Sequence, residues 1–133
     1  MALDLSSYEK ALKSFERAIT RSQGDAKDLE LRDAVIQRFE YTYEISCKML
    51  KRILEIEASS PPAIDALSFR DLLREAAERG LISRVEPWFE YREARNRTSH
   101  SYDEESAKQV HQTAIRFFED AKRLIEEIKA RNR

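Results

Sequence analysis

The chain has 133 residues, 37% of them Asp, Glu, Lys or Arg, and only two glycines and three prolines interrupt it. That composition suits one domain over 1–133, built of long helices dressed in charge. Its 24 basic residues are balanced by 25 acidic ones, a net charge of -1, which excludes a global drive toward nucleic acid or anionic membrane and makes any anion site local.

The lone cysteine, Cys47, excludes an internal disulfide. No apolar run approaches the ~20 residues of a membrane-spanning helix. The N-terminus lacks the basic, apolar and small-residue succession of a signal peptide, so a cytoplasmic protein without a membrane partner is expected.

Leu5, Tyr8, Leu12, Phe15 and Ile19 recur at steps of three and four, the stripe of an amphipathic first helix capped by Asp4 or Ser6. Gly24 breaks it. Asp25 or Asp28 then opens a second helix reaching about Glu57, whose apolar set (Leu31, Val35, Phe39, Tyr43, Met49, Leu50, Ile53, Leu54) is broad enough for the centre of a bundle. Ser59, Ser60, Pro61 and Pro62 end that helix and form the main linker. Ser68 followed by Asp71 resembles a capping box and Gly80 a left-handed stop, predicting a short third helix from Phe69 to Arg79 that packs Leu72, Leu73, Ala76 and Ala77.

Pro87 suits the first turn of a fourth helix carrying Trp88, Phe89 and Tyr91. Asp103 caps a fifth, with Glu104 and Glu105 in its first turn and an apolar stripe of Ala107, Val110, Ala114, Phe117, Ala121, Leu124 and Ile128. No internal repeat is visible. The economical assembly is all-α: an antiparallel, up-and-down four-helix bundle with an additional short helix. A bundle this narrow would expose Trp88, Phe89 or the Tyr41 side, predicting their burial in a two-fold interface.

The candidate chemistry is gathered between Arg92 and Glu105. Arg95 and His100 are separated by four residues, Tyr102 follows, and Asn96 stands one helical turn before His100. Asn96 and His100 share a side of a continuing helix, whereas Arg95 and His100 lie about 140° apart on it. A break just after His100, implied by the Asp103 cap, would let Arg95, His100 and Tyr102 converge at the corner.

Arg offers a permanently charged planar fork matched to phosphate oxygens, and imidazole exchanges a proton near neutral pH. On RNA, His100 can serve as general base or acid toward a 2'-hydroxyl while Arg95 stabilises charge on the phosphate, with Asn96 orienting the imidazole. No metal or cofactor is required for that scheme. The same Arg, Asn and His at a helix C-terminus are also ordinary capping residues that favour the dipole, and spacing alone favours the cap.

Other site classes fare worse. No glycine-rich phosphate loop is present, and the scattered carboxylates suit surface ion pairs better than a metal cluster. Cys47 reads as a core thiol and His111 as a half-buried packing residue. Arg116, Lys122, Arg123 and Lys129 read as a solvated face.

The run Arg95-Asn96-Arg97-Thr98-Ser99-His100-Ser101-Tyr102 resembles the signature of the HEPN superfamily, in particular its nucleotidyltransferase substrate-binding proteins and the related HepT toxins. Tyr8-Glu9-Lys10-Ala11-Leu12, Arg38-Phe39-Glu40-Tyr41-Thr42-Tyr43-Glu44, Lys48-Met49-Leu50-Lys51, Arg70-Asp71-Leu72-Leu73-Arg74-Glu75-Ala76 and Gly80-Leu81-Ile82 extend the likeness over nearly the whole chain. Cys47 departs from it, standing where a tryptophan is expected before the lysine.

The resemblance implies a helical bundle forming a homodimer whose motif regions face one another across a cleft. It also implies a separately encoded minimal nucleotidyltransferase as partner. Two functional accounts come with it. In one, Arg95 and His100 belong to a metal-independent ribonuclease toxin, silenced when the partner uses its own metal and ATP to transfer AMP onto Tyr102. In the other, the chain is a non-catalytic accessory subunit that presents a nucleotide or other substrate. A purely structural dimerising bundle is a third possibility.

Overall fold

The computed structural model of the chain describes residues 3–100 and 102–132. Its elements are α1 (Ser6–Gly24), α2 (Leu29–Glu57), α3 (Pro61–Asp65), α4 (Phe69–Glu78), α5 (Glu86–Arg97), a 3-10 turn (Thr98–His100) and α6 (Glu104–Arg131). Helix starts follow the local chemistry. Asp28, rather than Asp25, accepts from the amides of Glu30 and Leu31 at 2.9 and 3.3 Å and opens α2, satisfying donors that a helix start leaves free. Asp4 takes both the amide and the hydroxyl of Ser6 ahead of α1. Ser68 accepts from Asp71 N at 3.1 Å to cap α4.

Gly80 takes φ 77°, and its neighbour Leu81 returns an amide to the Ala76 carbonyl at 2.9 Å. This is the left-handed stop predicted for the end of α4. Asp103 occupies the cap position of α6, but its carboxylate accepts from Ser106 Oγ at 3.0 Å instead of a backbone amide.

Contacts between elements give their directions. Leu3 and Asn132 exchange two hydrogen bonds of 2.9 Å, and the Tyr8 hydroxyl donates to the Ala121 carbonyl at 2.7 Å, so α1 runs antiparallel to α6. Arg32 meets Glu104 and Arg131 meets Glu57, each at 2.8 Å, so α2 and α6 run parallel. Arg97 meets Gln109 and Arg116 meets Glu90, turning α5 against α6. The order is therefore up, down, up, down, the predicted antiparallel bundle, with α2 and α6 as its central pair.

The core fills the space between these helices. Phe117 of α6 has ring neighbours in Phe15, Phe39, Tyr43, Trp88 and Tyr91 at centroid distances of 5.0–6.2 Å, most of them edge-on, the arrangement the ring quadrupole favours.

Two expectations need correction. The Ser59–Pro62 linker is not wholly irregular, because Pro61 and Pro62 occupy the first turn of α3, where a missing amide costs nothing, and Ile64 of α3 is buried. Trp88 does not wait for a second copy. It is 2% exposed within the single chain, Phe89 is half-buried under the Arg70 guanidinium at 4.5 Å, and the half-buried Tyr41 donates to Ser14 Oγ at 2.7 Å. The exposed large apolar side chains are Leu29, Ile56 and Tyr102 among the described residues.

Candidate active site at the helix corner

α5 stops being α-helical at Arg97 because the chain tightens. The Arg95 carbonyl accepts both the amide of Thr98 and its Oγ1, the latter at 2.8 Å, and this three-residue return starts the 3-10 turn. Thr98 is buried beneath the corner, while Ser99 and His100 are exposed. The His100 carbonyl accepts from Asp103 N at 3.0 Å, closing the turn into α6. Ser101, part of the sequence motif, lies outside the described residues.

The corner brings His100 and Tyr102 together. Their rings stand 6.2 Å apart at 61°, and Tyr102 is 85% exposed. Among the described residues no side-chain hydrogen bond or ion pair engages either ring, so both are free to meet a ligand.

Arg95 is directed elsewhere. Its Nε donates to Glu44 Oε1 at 3.0 Å and a terminal nitrogen donates to the same oxygen, while Glu40 Oε1 lies 3.9 Å away. The hydrogen bond to Glu44, with added attraction from both carboxylates, holds the guanidinium above its ordinary pKa. Arg95 is thus oriented by α2 and its charge is partly offset within the chain.

Asn96 is exposed and lines a shallow cleft with Arg70, Phe89, Arg92 and Glu93. It makes no hydrogen bond to His100 among the described residues. The alignment expected of a helix continuing from Asn96 to His100 is broken, because a 3-10 turn advances ~120° per residue rather than ~100°.

A family model for nucleotidyltransferase substrate binding protein like chains matches residues 3–130. The chain belongs to that family. It is 36% identical over 138 residues to the probable ribonuclease HepT of Haemophilus influenzae, covering 98% of this chain and 94% of that protein. A solved structure from Haemophilus influenzae, described as the fold of a substrate binding domain of a nucleotidyltransferase, superposes with a TM-score of 0.89 at 34% identity, covering 95% of this chain and 99% of that one. The HEPN and HepT resemblance drawn from Arg95 to Tyr102 is thereby borne out at the level of family and fold.

This family member carries two site features that sequence reasoning missed. Glu40 and Glu44 on α2 were absorbed into a general account of surface ion pairs, although their four-residue spacing sets two carboxylates on one helix face. Thr98 was given no role of its own within the motif, yet its hydroxyl helps fix where the helix tightens. The readings of His111 and Cys47 hold. His111 is half-buried with Nε2 3.1 Å from Ser22 Oγ, and burial pushes the Cys47 thiol up to about 12, away from the reactive thiolate. Among the described residues no group of three or more His, Cys, Asp or Glu is placed to hold a metal ion, and no helix is long and apolar enough to cross a membrane.

Proposed function

We propose that the chain is the HEPN-type partner subunit of a separately encoded minimal nucleotidyltransferase, and that it acts as a metal-independent endoribonuclease toxin silenced by AMP transfer onto Tyr102. In this reading it works in the cytoplasm as a homodimer, and two motif corners, one from each copy, flank the RNA. One His100 imidazole takes the proton of a 2'-hydroxyl as that oxygen attacks the adjacent phosphorus. The bond from phosphorus to the 5'-oxygen breaks, the leaving oxygen receives a proton from the second copy's imidazolium, and a 2',3'-cyclic phosphate and a 5'-hydroxyl result. Arg95 stabilises charge on the phosphate oxygens and Asn96 positions the RNA.

The observation that carries this reading is an exposed, unengaged imidazole beside an exposed phenol on a corner one helical turn from an oriented guanidinium. The 36% identity to a probable ribonuclease supports it.

A second reading, a non-catalytic subunit that binds substrate for the nucleotidyltransferase, draws on the engagement of Arg95 by Glu44 and Glu40, which leaves less charge for a phosphate. Purified wild-type protein, His100→Ala and Arg95→Ala should be compared on labelled RNA with and without EDTA. Cleavage by the wild type alone, unaffected by EDTA, is the expected result. Intact RNA with the wild type, while it still binds the nucleotidyltransferase, would overturn the ribonuclease reading in favour of the second.

A further inference from the structure

Arg70 and Arg92 each lie on a phenylalanine ring from the neighbouring helix. The Arg70 guanidinium of α4 sits 4.5 Å from the Phe89 centroid on α5, and the Arg92 guanidinium of α5 sits 4.2 Å from the Phe69 centroid on α4. This reciprocal pair frames an open cleft of about 270 Å³ whose wall is completed by Glu93 and Asn96. Among the described residues no carboxylate lies within ion-pair distance of Arg70 or Arg92, whereas Arg74, also near Phe89 at 5.9 Å, is engaged by Asp71 at 3.1 Å. The cleft therefore holds two unneutralised guanidiniums against one carboxylate, on a chain whose overall charge is -1.

A guanidinium over an aromatic ring can pack parallel to it, and in that arrangement its second flat face is turned away from the ring. That face stacks on a nucleobase while the N–H edge serves phosphate, a combination available to unpaired strands and not to stacked duplex. The cleft also has a direction. Phe89, Arg92 and Asn96 follow one another at steps of three and four along α5, and the chain then enters the corner that carries His100, about 17 Å from Phe89 along the helix axis. A strand lying in the cleft would reach the corner within a few nucleotides.

We infer that the α4–α5 cleft is a single-strand RNA track, in which Arg70 and Arg92 stack bases and bind phosphates and so deliver the scissile bond to His100. This rests on the ribonuclease reading for its destination, not for the binding itself.

The test uses a labelled twelve-nucleotide RNA and its duplex as probes. Binding is read by anisotropy on a His100→Ala background that leaves the RNA intact, and cleavage is read with His100 present. Arg70→Gln/Arg92→Gln should weaken single-strand binding at least tenfold and flatten the salt dependence by a log-log slope of about 1.4, the ~0.7 per contact of single strands. Arg70→Lys/Arg92→Lys, which keeps charge but loses the planar stack, should retain the slope and still bind more weakly. Duplex should bind less well than single strand to the unsubstituted cleft.

Unchanged RNA affinity and slope in the glutamine variant, with its melting curve intact, would overturn the track. So would loss of self-association or of nucleotidyltransferase binding with RNA affinity kept, which would make the cleft a protein interface. The two readings fail separately: a wild type that binds RNA through Arg70 and Arg92 but never cleaves it sinks only the ribonuclease, and a glutamine variant that cleaves with unaltered KM sinks only the track.

Discussion

Glu44 on α2 accepts from two nitrogens of the Arg95 guanidinium, with the Nε bond at 3.0 Å. The pair links residues 51 positions apart and sets the orientation of the motif arginine before any ligand arrives. Both side chains keep substantial exposure, 32% for Arg95 and 54% for Glu44, so solvent screening limits the contribution to stability to about 1 kcal/mol or less. Its larger effect is expected on the RNA binding proposed for the corner.

Glu44→Gln should therefore tighten RNA binding severalfold on a His100→Ala background, steepen the salt slope by about 0.7 for the freed contact, and hardly move the unfolding midpoint. Weaker binding instead would mean that Glu44 acts chiefly by orienting Arg95, and that its competing charge matters less.

Stability and chemistry are expected to separate along the chain. Phe117 is fully buried and central to the aromatic cluster, so Phe117→Ala removes a large side chain from a close-packed space and should cost about 3–5 kcal/mol. His100→Ala removes an exposed ring and should change stability by about 0.5 kcal/mol at most. Denaturant titration of both variants checks the contrast, and a large loss in His100→Ala would indicate a structural histidine.

Much of this division was legible in the residues. The three-and-four spacing of Leu5 to Ile19 and of Ala107 to Ile128 predicted α1 and α6, because a buried stripe must recur with the helical period. Ser68 and Gly80 marked the ends of α4 through their own backbone chemistry. Trp88 was misjudged since a bulky ring preceding an exposed motif reads locally as surface, and only the packing of α2 and α6 around it shows where it goes. The site was half legible: His100 and Tyr102 are neighbours in sequence and in space, whereas the hold of Glu44 on Arg95 is a contact between distant helices that no local pattern contains. The helix in the linker escaped because Pro61 and Pro62 are as well suited to a first turn as to a break.

His111 gives a pH signature independent of the corner. Burial, reinforced by the positive charge of Arg32, holds its pKa below 6.5, and Ser22 Oγ lies 3.1 Å from Nε2. The unfolded chain takes up the proton first as pH falls. The stabilising effect of the neutral ring is thus complete above pH 6.5 and is lost as pH descends through the folded pKa. His111→Gln should flatten the dependence of the melting temperature on pH below 6.5. An unaltered profile would show that another group sets it.

Tyr102 carries the remaining prediction. Its phenol is 85% exposed and its ring stands 6.2 Å from His100, so a group attached to the oxygen would add bulk and negative charge beside the corner where the proposed reading seats an RNA phosphate. In AMP transfer the phenol oxygen attacks the α-phosphorus of ATP, the bond to pyrophosphate breaks, and the phenolic proton is lost. Each event adds about 329 Da to the chain. Co-expression with the cognate nucleotidyltransferase should yield that increment, or multiples of it, on the peptide containing Tyr102, with toxicity falling in step. Tyr102→Phe should lose the increment, keep its nuclease activity and escape silencing by this route. A chain of unmodified mass after co-expression, or modification at Tyr91 instead, would remove Tyr102 from the regulatory scheme even with Arg95 and His100 proved catalytic. Tyr91 offers a physical contrast within the same protein: it is buried and donates to the Asp120 carboxylate, and its pKa is raised first by that burial and then by the hydrogen bond, leaving a phenol that is already engaged and far less exposed than that of Tyr102.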